Sequence, residues 1–191
     1  MRIIGGEWRG RKLEEPRGRE VTRPTTDRVR EAMASMVGSA LESGIDGARV
    51  LDAFGGSGAL GIEMLSRGAG HLTVFDLDRG ASALIKRNLA TVRCDPSRFK
   101  VISGDVLASA VRGRIPGGPF DLVLFDPPYA FGSDPVVDCI ENLRAHGLLS
   151  RGSVVLFEHS SDIHCDTPDG FDLLKSKRYG ITSVDLFTLK R

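Results

Sequence analysis

Phe120-Asp121-Leu122-Val123-Leu124-Phe125-Asp126-Pro127-Pro128-Tyr129 is the stretch whose reading decides the fold. Its first six residues are mostly apolar and rich in strand formers, so they read as a buried strand. An acid, two prolines and an aromatic follow. Proline has no N–H donor and a fixed φ, so the strand must stop there. Asp126 is thereby left at a carboxyl edge, where open α/β sheets bind their ligands.

The residues on either side alternate between strand and helix patterns. Arg49 to Phe54 reads as a strand, and Gly55-Gly56-Ser57-Gly58 turns into a helix that runs to about Arg67. His71 to Leu77 is the next strand. Asp78 is placed to cap a helix with Leu84, Ile85, Leu89 and Val92 inward. Lys100 to Ser103 is a third strand, followed by Gly104-Asp105 and a short helix. Val136, Val137, Ile140 and Leu143 mark another helix, and Ser153 to Phe157 another strand. Phe171 to Lys175 and Ile181 to Leu189 leave no room for a helix between them, so they read as a hairpin closing the sheet. Such alternation implies an α/β fold: a mostly parallel sheet of seven strands, helices on both faces and an antiparallel C-terminal edge.

Upstream, Thr25 or Thr26 caps a helix to about Ser43. Val29, Ala32, Met33, Met36, Val37, Ala40 and Leu41 form one apolar face at helical spacing. Arg28 and Arg30 fall off that stripe, free for solvent or phosphate. Met1 to Leu13 reads as a short hairpin around Gly5, Gly6, Trp8 and Gly10. Trp8 among Arg9, Arg11 and Lys12 suits nucleic-acid contact, but pinning the hairpin to the domain is the favoured role. Two regions follow: a basic hairpin extension over residues 1–25 and a body over residues 26–191.

Composition sets the bounds. A chain of 191 residues with 41% hydrophobic and 27% charged residues suits one domain with a small appendage. It can bury roughly 70% of its unfolded surface. Cys94, Cys139 and Cys165 are odd in number and far apart, which points to reduced thiols in a cytoplasmic protein. No apolar run approaches the ~20 residues of a membrane span, and no signal peptide is read. Residues 1–30 carry nine Arg/Lys against five Asp/Glu, a net +4; the other 161 carry 17 against 20, a net −3. A basic segment on a slightly acidic body suggests a polyanion partner at one end.

Gly56-Ser57-Gly58-Ala59-Leu60-Gly61 matches G-x-G-x-x-G between a strand and a helix, so an NAD-linked oxidoreductase is one reading. Acids at successive strand ends, Asp52, Asp76 and Asp105, favour another. The set resembles the S-adenosylmethionine (SAM) site of Rossmann-like methyltransferases. That resemblance implies a loop of Gly55, Gly56, Ser57 and Gly58 around the methionine part, flanked by Asp52 and Phe54. It places Asp76 at the ribose and Asp105 at the adenine, with Leu77 and Val106 beside them as further cofactor-binding residues. A carboxylate can accept two hydroxyl hydrogens at once, which suits an acid at position 76.

Asp126-Pro127-Pro128-Tyr129 resembles the motif of methyltransferases acting on amino groups of DNA or RNA bases. The Asp126 carboxylate and the Pro127 carbonyl form two adjacent acceptors for an exocyclic amine, with Pro128 stiffening the turn and Tyr129 stacking on the base. Gripping both hydrogens turns the nitrogen toward an electrophile and favours the charge that develops on it.

Two further blocks, Arg2-Ile3-Ile4-Gly5-Gly6-x-x-Arg9-Gly10-Arg11 and Thr22-Arg23-Pro24-Thr25-Thr26-Asp27-Arg28-Val29-Arg30-Glu31, complete a resemblance over nearly the whole chain. Together with the glycine loop and the Asp-Pro-Pro-Tyr turn, they resemble the bacterial RsmD family, which methylates N2 of one guanine in 16S ribosomal RNA. This implies SAM as methyl donor and a small-subunit assembly intermediate as substrate, for an enzyme acting as a monomer. Arg9, Arg11, Lys12, Arg23, Arg28 and Arg30 are then candidates for the RNA backbone. Three positions depart from the family pattern. Gly55 stands where alanine is usual and is expected only to loosen the loop. Asp76 replaces the more usual glutamate and is one methylene shorter. Ala34 lies where a bulky aromatic is common.

Other readings are a DNA adenine- or cytosine-amino methyltransferase and a non-catalytic RNA-binding module on a Rossmann scaffold. His159, Asp162, His164 and Cys165 fit no familiar zinc spacing, so no metal is expected.

Overall fold

The computed structural model describes residues 1–16, 26–128 and 131–190. Seven strands form one sheet: β1 (Arg49–Asp52), β2 (His71–Asp76), β3 (Phe99–Ser103), β4 (Phe120–Phe125), β5 (Leu149–Ser160), β6 (Phe171–Tyr179) and β7 (Thr182–Leu189). Five helices accompany them: α1 (Asp27–Ala40), α2 (Ala59–Ser66), α3 (Arg79–Thr91), α4 (Val106–Val111) and α5 (Asp134–Ala145). The strand order is β3-β2-β1-β4-β5-β7-β6. β3, β2, β1, β4 and β5 are parallel; β7 runs antiparallel to both β5 and β6.

Alternation along β4 shows how the layers form. Leu122 and Leu124 join Met33, Val37, Ile62, Leu65, Ile85 and Leu89 on the face covered by α1, α2 and α3. Val123 and Phe125 join Ala110, Ile140 and Leu143 on the face covered by α4 and α5. A central parallel strand buried on both faces is apolar on both, which is why β4 from Leu122 to Phe125 reads as a continuous run.

Chain order reverses between β1 and β4, which pair directly, with Asp52 opposite Leu124. This is the topological switch point, where such sheets open a crevice at their carboxyl ends.

The N-terminal hairpin forms and is packed into the body. Arg2 bridges Lys12, the Ile3 N–H donates to the Arg11 carbonyl at 3.0 Å, and the Gly10 N–H to the Ile3 carbonyl at 2.9 Å. Ile3, Trp8 and Leu13 are buried in the α1–α3 layer. The buried Glu63 carboxylate accepts from the amides of Ile4 and Gly5, both at 2.8 Å, and pairs with Arg67 at 2.7 Å. Trp8 therefore pins the hairpin: it is 4% exposed, its amide donates to Ser66 Oγ, and the Arg98 guanidinium lies 5.7 Å from its ring centroid.

Element ends differ from the sequence reading for local reasons. Thr26 caps α1, but the helix stops at Ala40, because Leu41 is extended and Gly44 takes a left-handed turn. β5 runs on to Ser160, because β7 continues to pair with it through His159–Ser183 and Ser160–Thr182. Ala34 is buried and borders an open groove of about 540 Å³ with Gly6, Gly38 and Ile45. No helix among the described residues is long and apolar enough to cross a membrane.

Candidate active site

The carboxyl ends of β1 and β4 bring Asp52 and Asp126 together. Burial raises the Asp52 carboxyl to about 7, and the nearby Asp126 charge adds to the rise, while the Gly61 and Phe54 amides oppose it. Burial likewise raises Asp126 to about 6. Two desolvated carboxyls facing each other without a cation disfavour ionisation. A positively charged ligand between them would reverse that preference. No described residue donates a hydrogen bond to the Asp126 side chain. Among the described residues, no donor engages the Pro127 carbonyl either, whereas the Pro128 carbonyl accepts from the Phe131 amide at 2.8 Å. Tyr129 lies outside the described residues.

The glycine loop is shaped by contacts rather than by looseness. The Gly55 amide donates to the Phe75 carbonyl at 2.8 Å. A Cβ at Gly55 would stand 2.5 Å from Val74 Cγ2 and 2.7 Å from Ile85 Cδ1. The expectation that glycine here only loosens the loop is therefore corrected: β2 and α3 leave no room for a methyl group. Gly58 sits at φ +80°, a left-handed conformation that favours glycine. At Gly61 a Cβ would meet Asp52 Oδ2 at 2.9 Å, so the glycine lets α2 approach β1 and lets its amide donate to that oxygen at 3.2 Å.

Asp76 is held from two sides, by the Gly56 amide on Oδ2 and the Asp78 amide on Oδ1, both at 2.8 Å. A carboxylate oxygen carries more than one lone pair, so each can take a further donor. Leu77 beside it is 75% exposed and offers an apolar ledge. Asp105 caps α4: Oδ1 accepts from the Leu107 amide at 2.8 Å and the Ala108 amide at 3.1 Å, and Val106 behind it is buried. Asp78 caps α3 through the Gly80 amide at 2.7 Å.

Two features escaped the sequence reading. Asn88, fully buried in α3, donates to the Ser57 carbonyl at 2.8 Å and the Glu14 carbonyl at 3.2 Å, and accepts from the Glu14 amide at 2.8 Å. It ties the glycine loop to the N-terminal segment. Its only sequence signal is a polar residue among Leu84, Ile85 and Leu89 on the inward helix face. Phe131 meets Phe54 edge-on at 5.3 Å, and Phe54 meets Phe125 at 6.2 Å, an aromatic wall beside Asp126. A cleft of about 580 Å³ adjoins the loop, lined by Gly56, Asp78, Leu84, Arg87 and Glu14 to Pro16. Of the predicted cofactor residues, only Gly56 lines it. It flanks the Asp52–Asp126 crevice on the α3 side.

The predicted RNA-contact cations divide. Arg9, Arg11, Lys12 and Arg28 are exposed, while Arg23 lies outside the described residues. Arg30 is a correction. It is 4% exposed, donating to the Arg2 carbonyl at 2.8 Å and pairing with Asp27 at 2.7 Å, so it fixes the hairpin to the start of α1. Arg11 donates to the Val92 carbonyl at 3.2 Å and the Glu7 amide donates to the Ser66 carbonyl at 2.7 Å. Both partners lie at C-terminal helix ends, so the hairpin tip sits at the amino edge of the sheet, away from Asp126. His159 is committed to Asp185 at 3.0 Å, and among the described residues no group of three or more His, Cys, Asp or Glu could hold a metal ion.

Comparison with known proteins bears out the fold. A solved structure from Escherichia coli, yhhF, described as that of a methyltransferase, superposes with a TM-score of 0.83 at 32% identity, covering 100% of this chain and 98% of that one. Magnesium protoporphyrin IX methyltransferase from Synechocystis PCC 6803, solved with bound SAM, shares the fold at TM-score 0.66 and 15% identity over 85% of this chain and 79% of its own. Fold and site thus define a Rossmann-like, SAM-dependent methyltransferase.

The family model "Conserved hypothetical protein 95" matches residues 1–188. The chain is 36% identical over 188 residues to ribosomal RNA small subunit methyltransferase D of Haemophilus influenzae, covering 98% of this chain and 93% of that protein. It is 35% identical to the Escherichia coli K12 protein of the same name, covering 98% and 89%. The chain belongs to the RsmD family.

Proposed function

We propose that this protein transfers a methyl group from SAM to the N2 amino group of a guanine in 16S ribosomal RNA, within a small-subunit assembly intermediate. The observation that carries the reading is the Asp126 carboxylate at the switch point. It is half-buried with its pKa raised by that burial, meets no donor among the described residues and adjoins a second acceptor carbonyl.

The residues present fit the donor. The Asp52–Asp126 pair suits a cation, the Asp76 oxygens with spare lone pairs suit ribose hydroxyls, and exposed Leu77 suits an adenine face. Asp105 keeps Oδ2 for the adenine amine. SAM supplies an electrophilic methyl group on a sulfonium. Asp126 and the Pro127 carbonyl accept the two N2 hydrogens and hold the nitrogen lone pair in line. As the new N–C bond forms and the S–C bond breaks, the amine sheds one proton to Asp126 or to water. Tyr129 stacks on the flipped guanine. Residues 1–25 act as the RNA-contact extension through Arg9, Arg11, Lys12 and Arg23, with Arg28 at the start of α1 beside them.

Tritiated-methyl transfer from SAM to immature small subunits, naked rRNA and DNA, with the product nucleoside identified, tests the reading. N2-methylguanosine from the ribosomal substrates supports it; N6-methyladenine in DNA defeats it. Asp126→Ala is expected to cut transfer at least a hundredfold while SAM still binds, the scale of one lost transition-state contact.

A further inference from the structure

We propose that the amino edge of the sheet, opposite Asp126, is a second contact surface for the phosphate backbone of the RNA. The proposal rests on the reading that the substrate is a structured ribosomal RNA. Six exposed cations gather there: Arg9 and Arg11 of the hairpin, Arg49 at the start of β1, Arg93 after α3, Lys100 in β3 and Arg114 between α4 and β4. None forms an ion pair with a described residue.

They share one continuous surface. The loop bearing Arg114 passes under β1 and β2, where the Pro116 carbonyl accepts from Thr73 Oγ1 at 3.0 Å and the Gly117 carbonyl from Arg49 Nε at 2.6 Å. Arg11 is bonded to the Val92 carbonyl, the residue before Arg93. Arg49 and Lys100 both lie near His71, holding its imidazole below the usual range after the larger effect of burial.

The acids of this edge are mostly engaged. Glu7 faces Arg98 at 3.8 Å, Asp95 accepts from the Ser97 amide at 2.8 Å, and Asp121 accepts from the Arg49 amide at 2.8 Å. Asp46 flanks the patch. Arg93 adds an independent observation. At φ +58° it is the one non-glycine among the described residues in the left-handed region. Such a conformation is uncommon for a long side chain and clusters where function over-determines it. A turn that glycine or asparagine would close more easily carries a cation instead.

α3 runs the 13 residues from the glycine-loop edge to this surface, about 20 Å at 1.5 Å per residue. An RNA with its target guanine at Asp126 must therefore extend down the side of the domain to reach Arg93. A short stem-loop reaches only the carboxyl edge.

The test is the triple variant Arg93→Glu/Lys100→Glu/Arg114→Glu, whose sites are exposed and lie outside both the hairpin and the carboxyl edge. Binding to immature small subunits and to full-length naked rRNA is measured over a salt series, alongside SAM affinity and methyl transfer to a short stem-loop bearing the target guanine. Expected are a Kd for both large substrates at least tenfold weaker and a log–log salt slope reduced by about 2–3. SAM affinity and stem-loop transfer stay at wild-type values. Arg93→Asn, which suits the left-handed backbone, is expected to lower the slope by about 1.

Wild-type Kd and slope in the triple variant would overturn the proposal. So would an equal loss on the short stem-loop, or a loss confined to the particle, which would assign the surface to a ribosomal protein. A wild-type enzyme that binds the immature subunits and naked rRNA but methylates neither removes the functional reading, and the binding slopes still judge this surface.

Discussion

The two edges of the sheet are opposites. The carboxyl edge carries Asp52, Asp76, Asp105 and Asp126 at successive strand ends, and burial raises the pKa of the two at the switch point, Asp52 and Asp126. The amino edge exposes Arg9, Arg49, Arg93, Lys100 and Arg114, and none of these side chains forms an ion pair with a described residue. Buried charge without a partner costs stability, whereas exposed charge of one sign costs little. The protein therefore stores its electrostatic strain where a cationic ligand would relieve it, and leaves its positive field where a long polyanion would lie. The N-terminal hairpin joins the edges: Met1 contacts Ser57 of the glycine loop, and the tip rests on the last turn of α2.

The largest effect is expected from cutting that join. Glu63→Ala leaves Arg67 and the Ile4 and Gly5 amides without their acceptor and is expected to cost about 3–5 kcal/mol, read by urea unfolding. If the hairpin is a mere appendage, the loss will stay under about 1 kcal/mol.

Asp126→Asn sharpens the contrast next. Transfer is expected to fall about a hundredfold, near 2.7 kcal/mol of transition-state stabilisation. The fold should gain. A folded-state carboxyl raised from about 3.9 to the 6–7 range binds protons more tightly than the unfolded chain does. Its stabilising effect is therefore full at low pH and is lost as pH rises from about 4 to 7. Wild-type Tm should drop between pH 5 and 8, and Asp126→Asn should flatten that drop; parallel curves would show that Asp126 is not desolvated. By the same sign, methyl transfer should rise with pH through about 6 as the acceptor ionises.

Gly55→Ala comes third. Forcing a methyl group against Val74 and Ile85 is expected to cost about 1–3 kcal/mol and to weaken SAM binding by displacing the loop, and Ile85→Val should restore part of both. Unchanged stability would mean that the loop has slack after all.

The smallest effect concerns His159, whose two ring nitrogens face acceptors, the Ser160 carbonyl at 2.9 Å and Asp185 at 3.0 Å. Only imidazolium donates to both, and Asp185 and Ser160 hold its pKa above the usual histidine value despite burial. A raised folded-state pKa stabilises below about 6.5 and loses that contribution as pH climbs through it. His159→Gln should lose about 1–2 kcal/mol at pH 6 and less at pH 8.5. A pH-independent loss would argue for a neutral ring.

Much of the fold lies open in local pattern. The apolar run of β4, the spacing of α1, the Thr26 and Asp78 caps and the two prolines after Asp126 each state their structure within a few residues. Candidate site positions were equally legible wherever chemistry sits at a strand end, as for Asp52, Asp76, Asp105 and Asp126. Arg30, Asn88 and Phe131 were not. Each takes its role from partners distant in sequence: the Arg2 carbonyl 28 residues away, the Glu14 backbone 74 away, and the ring of Phe54 across the switch point.

The sequence by itself determined that strands and helices alternate and that acids end the strands, because backbone propensity and proline geometry act between near neighbours. Tertiary structure alone decided which acids lose their water, that Gly55 has no room for a methyl group, and that the hairpin arginines lie at the far edge from Asp126. Desolvation, steric room and distance are properties of packed neighbours, and no single segment carries them.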